Sequence, residues 1–227
     1  MFTAARTRTA LLLAIAGIAA RAETLDAVLA RMDAAARQFQ SFSARVKRTD
    51  FTAAIQDYET MNGVVRMRRA KNGVQGEMDF SDPDPHTISF AGRTMEIFHP
   101  KANVVEIYDT SKFTAVIDQY LLLGFGTTGA ELTKSYNLKL GGPETIGGTS
   151  TTRIELTPKS ADALKYISKI ELWIPDGQSN PVQEKITTPS KDTKLVVYSD
   201  LQVNPPLPDA VFELKLPSGV TKLTPQK

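Results

Sequence analysis

The chain has 227 residues, of which 41% are apolar and 23% charged, and its formal net charge is +2. This composition is typical of a globular protein and excludes a wholly disordered or collagen-like chain. The absence of cysteine excludes disulfides, thiolate metal sites and a cysteine nucleophile. Two histidines, His86 and His99, are too few for a multi-histidine metal site. We therefore expect no metal and no cofactor.

The first 22 residues have the three-part pattern of a secretory signal peptide. Arg6 and Arg8 precede the apolar run 11–20, and residues 20–22 form an A-x-A cleavage site. The run is shorter than the roughly 20 residues that span a bilayer, although an uncleaved anchor is the alternative. We predict removal of residues 1–22, location in the periplasm, and one domain over 23–227. Cleavage removes three arginines and no acid, so the mature net charge of −1 argues against nucleic-acid binding.

The mature chain begins with a predicted helix and continues as a series of strands. From Leu25 to Phe39 apolar residues recur every three or four positions, the period of a helix with one apolar face. From Phe42 to about Asp109 apolar and polar residues alternate, which predicts short antiparallel strands with one apolar face. The Asn-Gly pair at 62–63 is one of several predicted turns between them.

The segment Ser111–Phe125 returns to helical spacing and is apolar on more than one side. Such a helix is either buried beneath the sheet or covers an apolar cavity as a lid, and its periodicity leaves both readings open. The glycines at 124, 126 and 129 provide the backbone freedom of a mobile lid. They also match G-x-G-x-x-G, but a predicted helix precedes them instead of a strand, which argues against dinucleotide binding.

Alternation of apolar and polar residues resumes at Tyr136 after a short helical piece at 130–135. It continues to a last predicted strand that contains Phe212 and Leu216. Strands on both sides of the helical insert favour one sheet system. The predicted fold class is α+β and mainly antiparallel β.

Candidates for metal binding or catalysis are weak. Acidic residues beside His86 fit turn chemistry better than a Ca²⁺ site, and no G-x-S-x-G motif accompanies His99. The arginines around position 68 fit a solvated strand face, or an arginine that donates to backbone carbonyls across a gap. A hydrolase that uses either histidine stays open as a competing hypothesis.

Four short stretches of the mature chain resemble the LolA family of periplasmic lipoprotein carriers. They are similar, in order, to the family's start of strand one, its K-R-P step, its second half and its closing F-x-x-x-x-P-x-G-V. The stretches are 39–44 (FQSFSA), 67–70 (MRRA), 156–159 (LTPK) and 212–220 (FELKLPSGV).

The resemblance implies an incomplete, unclosed β-barrel with an N-terminal helix and a helical lid over an apolar cavity. A monomer of this kind takes the acyl chains of lipoproteins from an inner-membrane ABC transporter to an outer-membrane receptor. It performs no covalent chemistry, so we expect no enzyme. Relatives with the same fold bind free lipids, or act as sensors that bind a membrane-protein partner, and these are the alternatives.

The resemblance also assigns residues to the expected site. The family's lid latch corresponds to Arg69, with Arg68 as the alternative because Ala70 replaces the proline of the K-R-P step. The expected lipid-binding cavity is lined by Val65, Met67, Met78, Phe80, Phe90, Met95, Ile97 and Ile107. The expected lid residues are Phe113, Ile117, Leu121, Leu122 and Phe125.

Overall fold

The computed structural model describes residues 23–71, 73–112 and 121–225. The predicted signal peptide lies outside these ranges. The helices are α1 (Leu25–Gln38), α2 (Gly129–Ser135) and α3 (Ala161–Leu164). The strands are β1 (Ser41–Thr52), β2 (Asp57–Ala70), β3 (Gly73–Asp82), β4 (His86–Ala91), β5 (Thr94–His99), β6 (Val104–Asp109), β7 (Tyr136–Ile146), β8 (Thr149–Pro158), β9 (Lys169–Pro175), β10 (Gln183–Thr187), β11 (Thr193–Val203) and β12 (Thr221–Leu223).

All twelve strands belong to one sheet, in the order β12-β6-β5-β4-β3-β2-β1-β11-β10-β9-β8-β7. Neighbouring strands are antiparallel, except that β12 runs parallel to β6. The outer strands β12 and β7 do not pair with each other, so the sheet is not closed. The predicted fold class, a mainly antiparallel and unclosed barrel with helices, is confirmed.

The pairing register divides the sheet into two faces. Phe42 of β1 lies opposite Met67 of β2, and Val65 of β2 lies opposite Met78 of β3. Because side chains alternate along a strand, these residues share one face with the apolar side chains of the other strands. We call it the inner face, and we call the opposite face, which carries Lys47, the outer face.

Two apolar clusters cover the inner face. The first lies on β1–β3, and the second lies on β8–β10 beneath α1 and α2. The buried members of the first cluster are Phe39, Phe42, Ala44, Val46, Met61, Val65, Met67, Val74, Phe80, Leu121, Leu122 and Phe125. The buried members of the second are Val28, Met32, Leu123, Leu132, Ile154, Leu156, Ile170, Leu172, Ile174 and Ile186.

Caps fix the two longer helices. Thr24 caps α1, and its side chain accepts a hydrogen bond from the Ala27 amide. Thr128 and Glu131 form a reciprocal capping box at the start of α2. The Gly129 amide donates to Asp33 Oδ1 at 2.5 Å, which ties α2 to α1. The helix expected from Leu25 is therefore confirmed, and so is the short helical piece before Tyr136.

Two predicted elements are wrong. The Asn-Gly pair at 62–63 lies inside β2, where the register shifts at a bulge, and the turn after β1 is at 53–56. A glycine is needed at 63 for close approach, because a Cβ there would clash with the Asp79 carbonyl. The segment from Phe212 to Leu216 is not a strand; it crosses the outer face, and the last strand is β12.

Candidate functional site

The cavity

An apolar cavity of about 310 Å³ lies on the inner face where the two clusters meet. This volume is at the lower end of the range for small-molecule sites. Strands β1–β5, β10 and β11 supply its wall together with two leucines that follow residue 120. The lining residues are Phe42, Val46, Arg48, Val65, Met67, Met78, Phe80, Phe90, Met95, Leu121, Leu123, Glu184, Lys194, Val196 and Tyr198.

Six of the eight residues expected in the cavity line it: Val65, Met67, Met78, Phe80, Phe90 and Met95. Ile97 lies on the inner face opposite Ile88, beside this lining. Ile107, by contrast, is on the outer face, because it pairs with Glu96, which pairs with Ser89. Its expected position is therefore wrong: β6 presents Glu106 and Tyr108 to the inner face, and alternation turns Ile107 away.

The lid segment

Residues 121–126, which we call the lid segment, join the two inner-face clusters. Leu121, Leu122 and Phe125 belong to the first cluster, whereas Leu123 belongs to the second. Two further residues that were expected in the lid, Phe113 and Ile117, lie outside the described residues. Leu123, which was not among the expected lid residues, also lines the cavity.

Aromatic stacking and a tight turn hold the lid segment. The Phe125 ring stacks on Phe42 with centroids 4.1 Å apart and meets the Tyr198 ring edge-on at 5.1 Å. Pairs of this kind contribute about 0.5–1.5 kcal/mol beyond their buried area. The Leu122 carbonyl accepts hydrogen bonds from the Phe125 amide at 3.0 Å and from the Gly126 amide and the Thr127 hydroxyl at 2.9 Å each. The segment is thus packed on the sheet and internally closed.

Arg69 bonds the end of the lid segment to the sheet. Its Nη2 donates to the Gly126 carbonyl, and its guanidinium lies 5.8 Å from the centre of the Phe39 ring. Glycine is required at 126 for this approach, since a Cβ there would lie 2.7 Å from Phe39 Cδ1 and 3.1 Å from Arg69 Nη2. The contact joins the last residues of β2 to the lid segment.

Arg68 points the other way. It donates to Gln75 Oε1 and, at 2.7 Å, to the Leu207 carbonyl, and it also pairs with Asp209. Its guanidinium lies 4.6 Å from the centre of the Phe212 ring. Arg68 therefore holds the C-terminal segment on the outer face. Of the two arginines considered for the latch, Arg69 is the one that contacts the lid segment.

Charged groups in the cavity

Three ionisable residues of the cavity wall, namely Arg48, Glu184 and Lys194, were not predicted from the sequence. Arg48 Nε donates to Asp50 Oδ1 at 2.8 Å. A signal for Arg48 was present in the sequence, because alternation from Phe42 through Val46 puts residue 48 on the same face. Glu184 was harder to find, since its strand, β10, was not predicted, and Lys194 is a charged residue near the start of β11.

Glu184 is a buried carboxyl group, 6% exposed, that accepts a hydrogen bond from the Tyr198 hydroxyl at 3.2 Å. Removal from water raises its pKa to about 7, against the smaller lowering effect of the Tyr198 hydrogen bond. Glu184 also raises the pKa of the Tyr136 phenol, after the larger effect of burial. A carboxyl group with a pKa of about 7 thus faces the cavity, beside its apolar wall.

The two histidines lie in neighbouring strands, with His86 at the start of β4 and His99 at the end of β5. The His86 ring stacks on Phe80 at 4.9 Å and on His99 at 6.0 Å between centroids. His99 Nε2 lies 4.0 Å from a Glu106 oxygen.

Within the described ranges, no three histidine or acidic side chains are placed so as to hold a metal ion. None of the helices that the structure describes is long and apolar enough to cross a membrane.

Similar structures

No protein-family model and no curated protein matches the chain. Solved structures do match. An uncharacterized conserved protein from Thermus thermophilus has a TM-score of 0.55 at 10% identity, over 88% of this chain and 98% of that one. MucB has a TM-score of 0.51 at 14% identity, over 88% of this chain; the chain spans only 64% of MucB. A LolA superfamily protein from Nitrosomonas europaea has a TM-score of 0.40 at 16% identity, over 85% of this chain and 98% of that one.

The fold is LolA-like. This confirms the resemblance stated from the sequence at the level of the fold. Identities of 10–16% carry no conclusion about ligand, partner or activity.

Proposed function

We propose that this protein is a periplasmic carrier that binds the acyl chains of lipoproteins and moves them from the inner to the outer membrane. The observation that carries the proposal is the apolar cavity between the inner face and a lid segment bonded to Arg69. The LolA-like fold supports it. In this proposal an inner-membrane ABC transporter delivers the cargo to a monomer, and an outer-membrane receptor takes it. No covalent step is involved.

The free energy of acyl-chain binding explains why a carrier needs a latch such as the Arg69 contact. An acyl chain gains about 0.8 kcal/mol for each methylene group that it buries, so a rigid cavity would release it very slowly. A carrier avoids this when cargo must first disrupt a closed empty state, because that cost is subtracted from the binding free energy. The Arg69–Gly126 hydrogen bond and the Phe42–Phe125 stack are contacts that a cargo would disrupt.

A regulator that binds a protein partner is the second candidate function. It is favoured by the likeness to MucB, whose structure in complex with MucA from Pseudomonas aeruginosa has also been solved. In that case the cavity would be a ligand sensor, and a dedicated membrane-protein partner would bind elsewhere on the chain.

Photo-crosslinking in the native periplasm tests the proposal. A photoreactive residue replaces Leu121, a residue of the lid segment that lines the cavity, and mass spectrometry identifies the adducts. We expect adducts with many acylated lipoproteins. The matched control has the same residue at Lys47, which is exposed on the outer face and should not give these adducts. Adducts with free lipid or with one single protein would contradict the lipoprotein role and favour the alternatives.

A further inference from the structure

The cavity has a positively charged end away from the lid segment. Arg48 lies on the inner face of β1, six residues beyond Phe42, on which the lid segment stacks. Six residues of strand span about 20 Å. Lys194 of β11 lies on the same face, since it pairs with Asp50, and both cations line the cavity. The apolar wall therefore runs from the lid segment to two basic groups.

Little negative charge lies near the ammonium group of Lys194 to balance its positive charge. Burial is the main cause that lowers the pKa of its ammonium group, and the charge of Arg48 adds to it, while Asp50 acts in the opposite direction. Asp50 is already engaged by Arg48. Among the described residues, no acidic group lies within 4.0 Å of the Lys194 nitrogen. Lys194 as a whole residue is nevertheless exposed, so this end of the cavity reaches solvent.

The remaining charges at this end do not cancel the two cations. Glu59 faces Asp50 across β1 and β2 and is exposed, where solvent screens it. Glu184 of β10 pairs with Val196, which is two residues from Lys194 along β11. The pKa of Glu184 is about 7, so its carboxyl group is partly protonated at neutral pH. Arg48 bonds Asp50 through Nε and Nη2, so further guanidinium N–H groups are left to donate.

We propose that Arg48 and Lys194 bind the anionic head group, a carboxylate or a phosphate, of a single-chain amphiphile whose acyl chain lies along the inner face toward the lid segment. This inference rests on the acyl-binding part of the proposed function. An anion at this place would accept charge-assisted hydrogen bonds from both cations beside an apolar wall, where such bonds are stronger than in water. A neutral amphiphile of the same length would offer Lys194 and Arg48 no charge-assisted hydrogen bond.

Calorimetric titration of the full mature chain with three dodecyl compounds tests this inference. Dodecanoate and dodecyl phosphate carry the two anionic heads, and dodecanol is the neutral reference. We expect at least one anion to bind about tenfold or more tightly than dodecanol, the size of a charge-assisted contact. The more tightly bound anion identifies the head group. Equal binding of all three compounds would overturn the inference and leave acyl binding intact. Binding of none would overturn acyl binding as well.

Variants test whether Lys194 causes the preference for the anionic compounds. Lys194→Met should remove most of the preference for the anion over dodecanol, whereas Lys194→Arg, which keeps the charge, should retain it. Lys47→Met is the matched control, because Lys47 lies on the outer face of the same sheet and is exposed. An anion preference that survives Lys194→Met, or that Lys47→Met removes equally, contradicts a head-group site at Lys194.

Discussion

Glu184 places a titratable group inside the apolar wall, and this makes stability depend on pH. The pKa of its carboxyl group is about 7 in the folded chain, compared with 4.5 for an exposed glutamate. Between these values the folded chain binds more protons than the unfolded chain. The contribution of Glu184 to stability is therefore complete below about pH 4.5 and is lost as the pH rises through 7.

Replacing Glu184 by glutamine should remove this loss. We expect Glu184→Gln to be more stable than the parent chain at pH 8, by about 3 kcal/mol, and similar to it at pH 4.5, since burial raises the pKa from 4.5 to about 7 and each pKa unit corresponds to about 1.4 kcal/mol. Urea unfolding at both pH values measures the difference. Glu213→Gln is the control at an exposed position. Equal stability of parent and Glu184→Gln at pH 8 would show that the carboxyl group is not desolvated.

The alternation of apolar and polar residues predicted much of the cavity wall but not its limits. Val65 and Met67, for example, were placed on one face by sequence and line the cavity. Ile107 shows the limit, because a strand with apolar residues on both faces does not indicate which face is inward. Phe98 and Ile107 are on the outer face, over which the C-terminal segment passes. A contact between segments far apart in the chain does not change the local alternation of apolar and polar residues, so the sequence pattern does not reveal it.

In the proposed carrier, the contacts of the lid segment decide between tight retention and release of the acyl chain. Arg69→Leu removes the hydrogen bond to Gly126 and the contact of the guanidinium with the Phe39 ring. We expect a folded protein that binds an acyl chain about tenfold more tightly and releases it more slowly, since the closed empty state loses a charge-assisted bond. Transfer of a fluorescent acyl chain to acceptor vesicles measures the release rate.

Arg68→Leu is the matched control for the latch. Arg68 is adjacent in sequence, but its bonds hold Leu207 and Asp209 on the outer face. This change should lower the free energy of unfolding and leave the release rate unaltered. Equal release from the parent chain and Arg69→Leu would contradict the latch, whatever the result for Arg68→Leu.

Elements with a strong local signal were predicted from the sequence, and those fixed by distant contacts were not. Helix α1 shows a clear apolar stripe, with Val28, Met32 and Ala36 buried as the spacing requires. Strand β10 is short and carries Glu184 among its buried residues, so its alternation was not recognised. The segment at Phe212 alternates like a strand, yet contacts with Arg68 and Ser89 hold it across the outer face instead.

At the scale of the whole molecule, one open sheet serves two different purposes. Its β8–β10 half is filled by α1 and α2, which leave little space above Ile170 and Leu172. Among the described residues, the lid segment covers part of the sheet's β1–β5 half, and the cavity is in that half. The order of strands and helices predicted a LolA-like fold, but the division between the filled and the open half depends on packing between segments far apart in sequence.

The methionines provide the most direct test of the acyl-binding cavity, because they are distributed over both halves. Met67, Met78 and Met95 line the cavity, whereas Met32 of α1 is 2% exposed and belongs to the second cluster. A chain labelled with ¹³C at the methionine methyl groups is titrated with dodecanoate, and methionine-to-leucine variants assign the signals. We predict that the signals of Met67, Met78 and Met95 shift while that of Met32 stays in place. Unchanged signals at all three, or a shift confined to Met32, would contradict an acyl-binding cavity at this site.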